Sequence, residues 1–215
     1  MSSKVVLVHG YNKGPDDMRD LKEHLTKLGY KVQLVDLPLT FEKIETAAAR
    51  FRAEMEEIIA NTEENEEISL VGHSTGGLII RYFISQMDYE EKIDRAVLIA
   101  TPNQGSQLAD LAAEVSDSLV DLLKTLDSLQ PEKIKELELE AVRNVEIGAI
   151  AGNKSDLLLG YLLEGENDGR VGVDAVWYEG LDDFILLPYN HLEIHHQFET
   201  AEVVASFLAE GEFGG

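Results

Sequence analysis

Gly72, Ser74 and Gly76 form the pattern G-x-S-x-G near the middle of the chain. The pattern follows a short apolar run at residues 68–71 and precedes a helix-like run at residues 77–87. In a strand–turn–helix of this kind the serine lies on a sharp turn that lifts its hydroxyl clear of the sheet, and the glycines let neighbouring backbones pass closely. A serine presented in this way can attack a carbonyl carbon, and the backbone N–H of the next residue can stabilise the negative charge that forms.

A serine hydroxyl is a weak nucleophile at neutral pH unless an imidazole accepts its proton. His191 is the predicted base, because it comes four residues after the last predicted strand, residues 184–187, in the loop at the end of that strand. His195 and His196 fall in the helical pattern that follows, residues 193–208. Both are predicted to lie on the surface of that helix, with their side chains directed away from the serine.

A carboxylate must hold the imidazole in the correct tautomer, and the candidates follow the predicted strand at residues 145–151. Asp168 is favoured, because it begins a tight Asp-Gly turn and an apolar stretch that can anchor it comes next. Asp156 stays open as an alternative, although the three leucines after it are typical of a core or cap segment. Asp174 and Asp182 are further alternatives. The chain order is then serine, acid and histidine, in loops after successive later strands.

The oxyanion formed by the attack needs two preorganised N–H donors. The backbone N–H of Thr75, directly after Ser74, is the first predicted donor. The second is predicted in the loop after the first strand, where Gly10 allows a sharp turn that directs the N–H of Tyr11 inward. The plainer alternative is that His9 and Gly10 only end that strand.

Short β-branched apolar runs alternate with longer amphipathic patterns along the chain. The strand candidates are residues 5–8, 32–35, 68–71, 96–100, 145–151 and 184–187. Nearly continuous apolar strands that alternate with helices indicate an α/β fold with a mostly parallel six-stranded sheet and helices on both faces. Right-handed crossovers place the carboxyl ends of parallel strands at one edge, so Ser74, Asp168 and His191 are predicted to meet there.

The connection at residues 105–144 is too long for a single crossover helix. Apolar residues recur at helical spacing from Leu108 to Leu129, and a second helical pattern begins at Glu132, after Pro131. One hypothesis is a crossover helix plus a small helical cap, or lid, over the active-site edge. The alternative is that the whole segment packs as scaffold. Because the chain carries no repeat and no linker-like segment, a single domain over residues 1–215 is expected.

The 215 residues include 18 basic and 41 acidic ones, which gives a formal net charge of −23. Such a charge repels nucleic acids and anionic bilayers, and no run of Lys or Arg offsets it, so neither is an expected partner. There is no cysteine, which excludes disulfides and thiol catalysis. No apolar run approaches the length that spans a membrane, so stable membrane insertion is not expected. A cytoplasmic protein is expected, with a secreted mature form that lacks its leader as the alternative.

Five segments together resemble the successive signature blocks of bacterial lipases and esterases of the α/β-hydrolase superfamily. They are residues 7–11 (LVHGY), 72–77 (GHSTGG), 101–106 (TPNQGS), 167–169 (NDG) and 190–193 (NHLE). The resemblance covers most of the chain and implies an α/β-hydrolase fold and hydrolysis of carboxylic esters. It also implies roles for five residues: Ser74 as nucleophile, Asp168 as acid, His191 as base, and the N–H groups of Tyr11 and Thr75 as the oxyanion hole.

This chain departs from the larger members of that family, which carry a longer lid and a bound calcium ion, and which have an aspartate two residues after the catalytic histidine. Glu193 stands at that position here, so neither calcium nor activation at a lipid interface carries over. The expected function is that of a serine esterase or small lipase without cofactor or metal, acting on a small-molecule ester or lipid with a short to medium acyl chain. Acyl transfer or thioester hydrolysis by the same triad, and ligand binding without turnover, are the alternatives. The sequence does not predict the oligomeric state.

Overall fold

The computed structural model describes residues 4–39, 42–87, 92–108, 129–137, 139 and 145–214. The strands in these residues form one sheet, and they are β1 (Lys4–Val8), β2 (Lys31–Val35), β3 (Ile68–His73), β4 (Ile93–Ile99), β5 (Glu146–Gly152) and β6 (Asp183–Leu187). Their order across the sheet is β2-β1-β3-β4-β5-β6, and every neighbouring pair is parallel. The predicted six-stranded parallel sheet is confirmed, and each predicted strand overlaps an observed one.

Helices cover both faces of the sheet. In the described part of the chain they are α1 (Arg19–Lys27), α2 (Ile44–Ala60), α3 (Thr75–Ser85), α4 (Pro131–Glu136), α5 (Val173–Val176) and α6 (Phe198–Glu210). On one face, α2 and α3 bury Phe51 and Leu78 against the strands. On the other face, α1 and α6 bury Leu25 and Phe207. None of the helices in these residues is long and apolar enough to cross a bilayer.

Successive residues of β1 belong to opposite hydrophobic cores. Val6 and Val8 join the core beneath α2 and α3, whereas Val5 and Leu7 join the core beneath α1 and α6. Side chains alternate between the two faces of a strand, so a strand that is covered on both faces must be apolar throughout. This is why the sequence shows apolar runs at the central strands rather than an alternation of apolar and polar residues.

The sheet has a switch point between β1 and β3. From β1 the chain runs to β2 at the edge of the sheet and then returns to β3 on the other side of β1. In open α/β sheets, a reversal of this kind leaves a crevice outside the carboxyl ends of the two strands, where ligands bind. The loop after β1 and the turn after β3 therefore flank one crevice, and they carry Tyr11 and Ser74.

The predicted cap falls mainly on residues outside the described ones, namely 109–128, 138 and 140–144, and it stays a prediction. The described part of this segment includes α4, which begins at Pro131, where the second helical pattern was predicted. Leu129 and Ile134 are buried and join the core beneath α2 and α3. Both residues therefore contribute to the core of the fold.

Candidate active site

Ser74 lies between His73, the last residue of β3, and Thr75, the first residue of α3. Its backbone has φ 53° and ψ −125°, a conformation that residues other than glycine rarely adopt. Two backbone hydrogen bonds hold it there. The N–H of Ser74 donates to the carbonyl oxygen of Ile99 on β4 at 2.8 Å, and the N–H of Gly77 donates to the carbonyl oxygen of Ser74 at 3.0 Å. The strand–turn–helix predicted around the serine is therefore present.

The two glycines of the G-x-S-x-G pattern have no room for a side chain. A Cβ atom at Gly72 would lie 2.5 Å from the backbone nitrogen of Gly77, in the first turn of α3. A Cβ atom at Gly76 would lie 2.5 Å from the carbonyl oxygen of Val8 and closer still to that of His9. Helix α3 can approach β1 and β3 this closely only because glycine occupies both positions.

His191 places an imidazole beside the serine. It lies in the loop after β6 with its side chain buried, and its Nε2 is 3.0 Å from Oγ of Ser74. Its backbone N–H donates to the carbonyl oxygen of Asp168 at 2.9 Å, which ties the loop after β6 to the segment that follows β5. In the tautomer that carries its proton on Nδ1, Nε2 accepts a hydrogen bond from the serine hydroxyl.

Asp168 completes the hydrogen-bonded series. Its Oδ2 is 2.7 Å from Nδ1 of His191, and the residue is almost fully buried. Its other carboxylate oxygen accepts the backbone N–H groups of Arg170 at 2.9 Å and Val171 at 2.8 Å. The turn continues through Gly169, whose φ of +90° favours glycine. The predicted Asp-Gly turn thus fixes the carboxylate before it meets the imidazole.

Asp156, the alternative acid, is bonded to residues other than His191. Its Oδ1 accepts a hydrogen bond from the side-chain amide of Asn190 at 2.8 Å, and its Oδ2 pairs with Lys154 at 3.0 Å. Asn190 in turn accepts the backbone N–H groups of Leu192 and Glu193. Asp156 therefore supports the loop that carries the predicted base, without an observed hydrogen bond to the imidazole.

The other two aspartates that the sequence left open also have no hydrogen bond to the imidazole within the described residues. Asp182 accepts the backbone N–H of Ile147 at 2.7 Å, near the amino end of β5 and hence at the opposite edge of the sheet. Asp174 lies in the first turn of α5. Among the four candidates, Asp168 alone is seen to contact the predicted base.

His9 orients the peptide group that precedes the predicted oxyanion donor Tyr11. The backbone N–H of Leu37 donates to Nε2 of His9 at 3.2 Å, so Nδ1 carries the ring proton and donates to the carbonyl oxygen of Gly10 at 2.9 Å. In a trans peptide the carbonyl oxygen and the next N–H point in opposite directions. The N–H of Tyr11 is therefore directed away from the ring of His9.

Thr75, the other predicted donor, is the first residue of α3 and is buried. The N–H groups in the first turn of a helix have no acceptor within the helix, and the helix dipole adds positive potential at the same place. A Cβ atom at Gly10 would lie 3.2 Å from Cβ of Ser74, so the loop after β1 lies against the turn that holds the serine. The loop that carries Tyr11 and the helix turn that begins at Thr75 therefore both adjoin Ser74.

A cavity of about 240 Å³ opens beside Ser74. Its wall includes His191, Tyr11 and Thr75, together with the basic residues Lys13 and Arg170. Most of the remaining wall is apolar, formed by Pro102, Leu108, Leu129, Leu159, Val171 and Leu192. An apolar cavity with a few convergent polar groups is typical of a small-molecule site, and this one is slightly below the usual range of about 300–1,000 Å³.

Residues 2–103 match the model of a protein family described as "Putative serine esterase (DUF676)". The matched residues run from β1 through β4 and include Tyr11, Ser74 and Thr75. Asp168 and His191 lie beyond the matched residues. No curated protein sequence matches this chain.

Several solved structures are similar over nearly the whole chain. The mature form of the lipase BlEst2 from Bacillus licheniformis has a TM-score of 0.83 at 24% identity, and the alignment covers 97% of this chain and 91% of that one. The metagenomic carboxyl esterase MGS0156 has a TM-score of 0.78 at 19% identity, with coverage of 98% and 76%. The fold is that of the lipase and esterase α/β-hydrolases. Methylketone synthase I from tomato, complexed with 2-tridecanone, shares this α/β-hydrolase fold at a TM-score of 0.62 and 16% identity, with 100% coverage of both chains.

The resemblance to lipases and esterases of the α/β-hydrolase superfamily is thereby confirmed at the level of the fold. The family match and the esterase and lipase neighbours together support a hydrolase that acts on esters. The roles of the individual residues stay predictions, to which the geometry adds the distances given above.

His195 does not lie where the sequence predicted. The helical pattern at residues 193–208 predicted His195 and His196 on the surface of a helix, but α6 begins only at Phe198, and residues Ile194–His196 form a short 3-10 turn. His195 is buried, and its ring stacks on that of His73 at 3.8 Å between ring centroids. The prediction for His195 was therefore wrong, because the 3-10 turn directs it inward, towards the residue beside the serine. His196 is partly exposed and pairs with Asp20.

His73 is a second buried histidine behind the predicted triad. Its Nε2 is 3.1 Å from the carbonyl oxygen of His191, and the two ring centroids are 5.0 Å apart. Burial lowers the pKa of His73 well below its usual value, and the neighbouring histidines His195 and His191 lower it further. His73 is therefore neutral near pH 7 and donates its Nε2–H to that carbonyl, which fixes the backbone of the predicted base.

Sequence reasoning assigned no part in the site to His9, His73 or His195. The positions of His9 and His73 could have indicated a role in the site, since each is a polar residue at the carboxyl end of a buried apolar strand. No comparable signal exists for His195, because its burial depends on contacts with residues far away in the sequence.

The close approach of α3 to β1 predicts the effect of a single methyl group. In Gly76→Ala the new Cβ would meet the carbonyl oxygens of β1, so the helix must shift and the melting temperature should fall by at least about 5 °C. The matched control is Gly14→Ala, where the new Cβ has no atom within 4 Å and the backbone φ is −134°. Gly14→Ala should change the melting temperature by less than about 2 °C. Equal shifts for the two variants, measured by calorimetry, would contradict the proposed steric constraint.

Proposed function

We propose that this protein is a serine carboxylic ester hydrolase, an esterase or small lipase that works through an acyl-enzyme. The observation that carries the proposal is the hydrogen-bonded series from Oγ of Ser74 to His191 at 3.0 Å and from His191 to Asp168 at 2.7 Å. It ends at a serine on a strained turn that borders an apolar cavity. Nucleophile, base and orienting acid within hydrogen-bond reach of one another are what covalent catalysis by serine requires.

In the first step Oγ of Ser74 attacks the carbonyl carbon of the ester while Nε2 of His191 takes the hydroxyl proton. The imidazole becomes an imidazolium, whose Nδ1–H donates to Oδ2 of Asp168. The carboxylate stays ionised and stabilises this positive charge. Because Asp168 also accepts two backbone N–H groups, it keeps one orientation throughout the step.

The tetrahedral intermediate carries its negative charge on the former carbonyl oxygen. In our proposal the N–H groups of Tyr11 and Thr75 donate to that oxygen, and the amino end of α3 adds its dipole. One such donor typically contributes about 10²–10³-fold to the rate. His9 supports this arrangement indirectly, because it holds the peptide group between Gly10 and Tyr11 in one orientation.

Collapse of the intermediate breaks the ester C–O bond, and the imidazolium of His191 gives its proton to the departing alcohol. The acyl group is then bound to Oγ of Ser74 as an ester. A water molecule attacks this acyl-enzyme, with His191 again accepting the proton, and the second tetrahedral intermediate releases the carboxylic acid and the free serine. Each step uses the same three side chains and the same two N–H groups.

The substrate preference follows from the size and lining of the cavity. A volume of about 240 Å³ with leucines and a valine in its wall accommodates a compact apolar acyl group. We therefore propose short to medium acyl chains. A thioester presents the same carbonyl carbon to Ser74, and it is included among the test substrates for that reason.

The first prediction concerns the nucleophile. Ser74→Ala should reduce hydrolysis of p-nitrophenyl butyrate by at least about 10⁴-fold and abolish labelling by a fluorophosphonate probe. Alanine keeps a Cβ at φ 53°, so the backbone strain persists and the melting temperature should stay within about 2 °C of the parent. Ser74→Gly should be equally inactive yet melt at a higher temperature, because glycine adopts this conformation without strain.

These two variants separate loss of chemistry from loss of structure. Labelled parent protein and unlabelled, folded Ser74→Ala protein support the assignment of the nucleophile. A parent protein that neither reacts with the probe nor turns over any ester or thioester would overturn the proposed hydrolase in favour of a binding protein. Turnover of thioesters alone would replace the ester as the substrate class.

The second prediction separates the two aspartates that contact neighbouring residues of one loop. Asp168→Asn should lower kcat by about 10³-fold or more, because an amide cannot stabilise the imidazolium and can hold His191 in the wrong tautomer. Asp156→Asn is the matched control, since its side-chain oxygen can still accept the hydrogen bond from Asn190. Its kcat should stay within about threefold of the parent. Steady-state kinetics that rank the two variants in the reverse order would show that Asp168 is not the acid.

The third prediction concerns acyl-chain length and uses two adjacent leucines. Leu159 lines the cavity, whereas Leu158 is 79% exposed and does not. Leu159→Ser should lower kcat/KM for p-nitrophenyl octanoate by up to about tenfold and leave p-nitrophenyl acetate nearly unchanged, because only the longer chain buries methylene groups there. Leu158→Ser should affect neither substrate. A uniform loss on both substrates would show that Leu159 supports the fold and does not contact the acyl chain.

A further inference from the structure

A cluster of histidine and aspartate side chains lies next to His73, which is stacked on one of its members, His195. Asp17 comes from the 3-10 turn that precedes α1, and His195 and His196 come from the 3-10 turn that precedes α6. One ligand atom from each of these three residues lies within 4.8 Å of the other two. Among the described residues, this is the group of three possible metal ligands whose ligand atoms lie close enough together to hold one ion.

The spacing is close to that of a tetrahedral metal centre. Oδ2 of Asp17 is 3.1 Å from Nε2 of His195. Two ligands bound tetrahedrally to zinc at its usual bond lengths of about 2.0–2.1 Å lie about 3.3 Å apart. The pair therefore needs little movement to share an ion. The ligand atom of His196 lies within 4.8 Å of both and must move closer to reach the same ion.

A lysine holds the other oxygen of the Asp17 carboxylate. Lys13 contacts Oδ1 of Asp17 and leaves Oδ2 for the ion.

The ring nitrogens of the two histidines can be assigned. Nδ1 of His196 is 2.9 Å from Oδ2 of Asp20, which leaves Nε2 as the ligand atom. A carboxylate on the second nitrogen of a metal-binding histidine is the usual outer partner of such ligands. Nδ1 of His195 is buried without a hydrogen-bond partner. Coordination through Nε2 moves the ring proton to Nδ1, where the described residues offer no acceptor, so the ion must offset a buried N–H without a hydrogen bond.

We propose that Asp17, His195 and His196 bind one divalent ion of the zinc type, with Asp20 holding His196 in place. Two imidazole nitrogens and one carboxylate oxygen are the donors that Zn²⁺, Co²⁺ and Ni²⁺ share, whereas Ca²⁺ and Mg²⁺ prefer oxygen ligands throughout. The net charge of −23 favours a cation at this surface.

The ion joins the two loops that flank the predicted active site. Asp17 belongs to the connection that also carries Tyr11, and His195 belongs to the connection that carries His191. The ring of His195 stacks on His73, which donates to the backbone of His191. Coordination of the ion by His195 therefore also restricts the ring of His73, on which His195 stacks. The ion has a structural role and takes no part in the bond-breaking steps, so its binding does not rest on the proposed hydrolysis.

The test is a binding measurement on the untagged full chain after treatment with EDTA. Titration with ZnCl₂ by calorimetry should give one site per chain with a Kd in the micromolar range or tighter, and CoCl₂ should produce the visible absorption of a four- or five-coordinate ion. Free Zn²⁺ at a concentration of about 100 times Kd should raise the melting temperature by about 5–10 °C. CaCl₂ and MgCl₂ should produce neither effect.

Variants locate the site. His196→Gln, at a partly exposed position that should tolerate the change, should weaken Zn²⁺ binding at least about 100-fold, and Asp20→Asn should weaken it about 10–100-fold. His24→Gln on α1 is the matched control and should bind as the parent does. The same titration on Ser74→Ala should be unchanged, so that a failure here is distinct from a failure of the proposed hydrolase. Absence of 1:1 binding, equal binding of Ca²⁺, or an equal loss in His24→Gln would each overturn the proposal.

Discussion

The positive φ of Ser74 is the constraint on which the rest of the predicted site depends. A non-glycine residue in this conformation costs about 1–3 kcal/mol, so the surrounding structure must hold it there. The N–H of Ser74 is bonded to β4, and α3 begins at the very next residue. Because Gly72 and Gly76 carry no side chain, α3 can approach β1 and β3 closely enough to maintain the turn. The same close approach brings the loop after β1 against the serine, so the strain and the predicted oxyanion hole have one origin.

The parallel sheet brings the loops that carry Ser74, Asp168 and His191 to one place. Ser74 follows β3, Asp168 lies in the segment after β5, and His191 follows β6. Parallel strands present all their carboxyl ends at one edge, so residues that are 117 positions apart in the chain meet at 3.0 Å. The backbone hydrogen bond from His191 to the carbonyl of Asp168 ties the last two connections together. The sheet positions the connections, and local turns then set the side chains.

The features that could be predicted from the sequence are those that local chemistry determines. Ser74 was found from a pattern of five residues, and the Asp-Gly turn favoured Asp168 over Asp156, because a tight turn leaves a distinct composition. His195 was missed for the opposite reason. Its partner Asp17 is 178 residues away, and the turn that buries it ends only two residues before a helix, where periodicity is a poor guide to boundaries. Burial that depends on distant partners leaves no local pattern. The cap predicted within residues 105–144 falls mainly on residues that the structure does not describe, so it stays a prediction.

The row of histidines behind the serine bears on how the proposed reaction directs its proton. His191, His73 and His195 lie ring against ring, yet only His191 has both the serine hydroxyl and the carboxylate of Asp168 within hydrogen-bond distance. His73 has no carboxylate partner among the described residues, and its burial lowers its pKa. A positive charge that appears on His191 during the attack is thus balanced by Asp168, whereas one on His73 would have no such balance. A neutral His73 also adds no positive charge of its own beside the imidazolium of His191. The buried histidines can therefore fix the geometry of the base without competing for its proton.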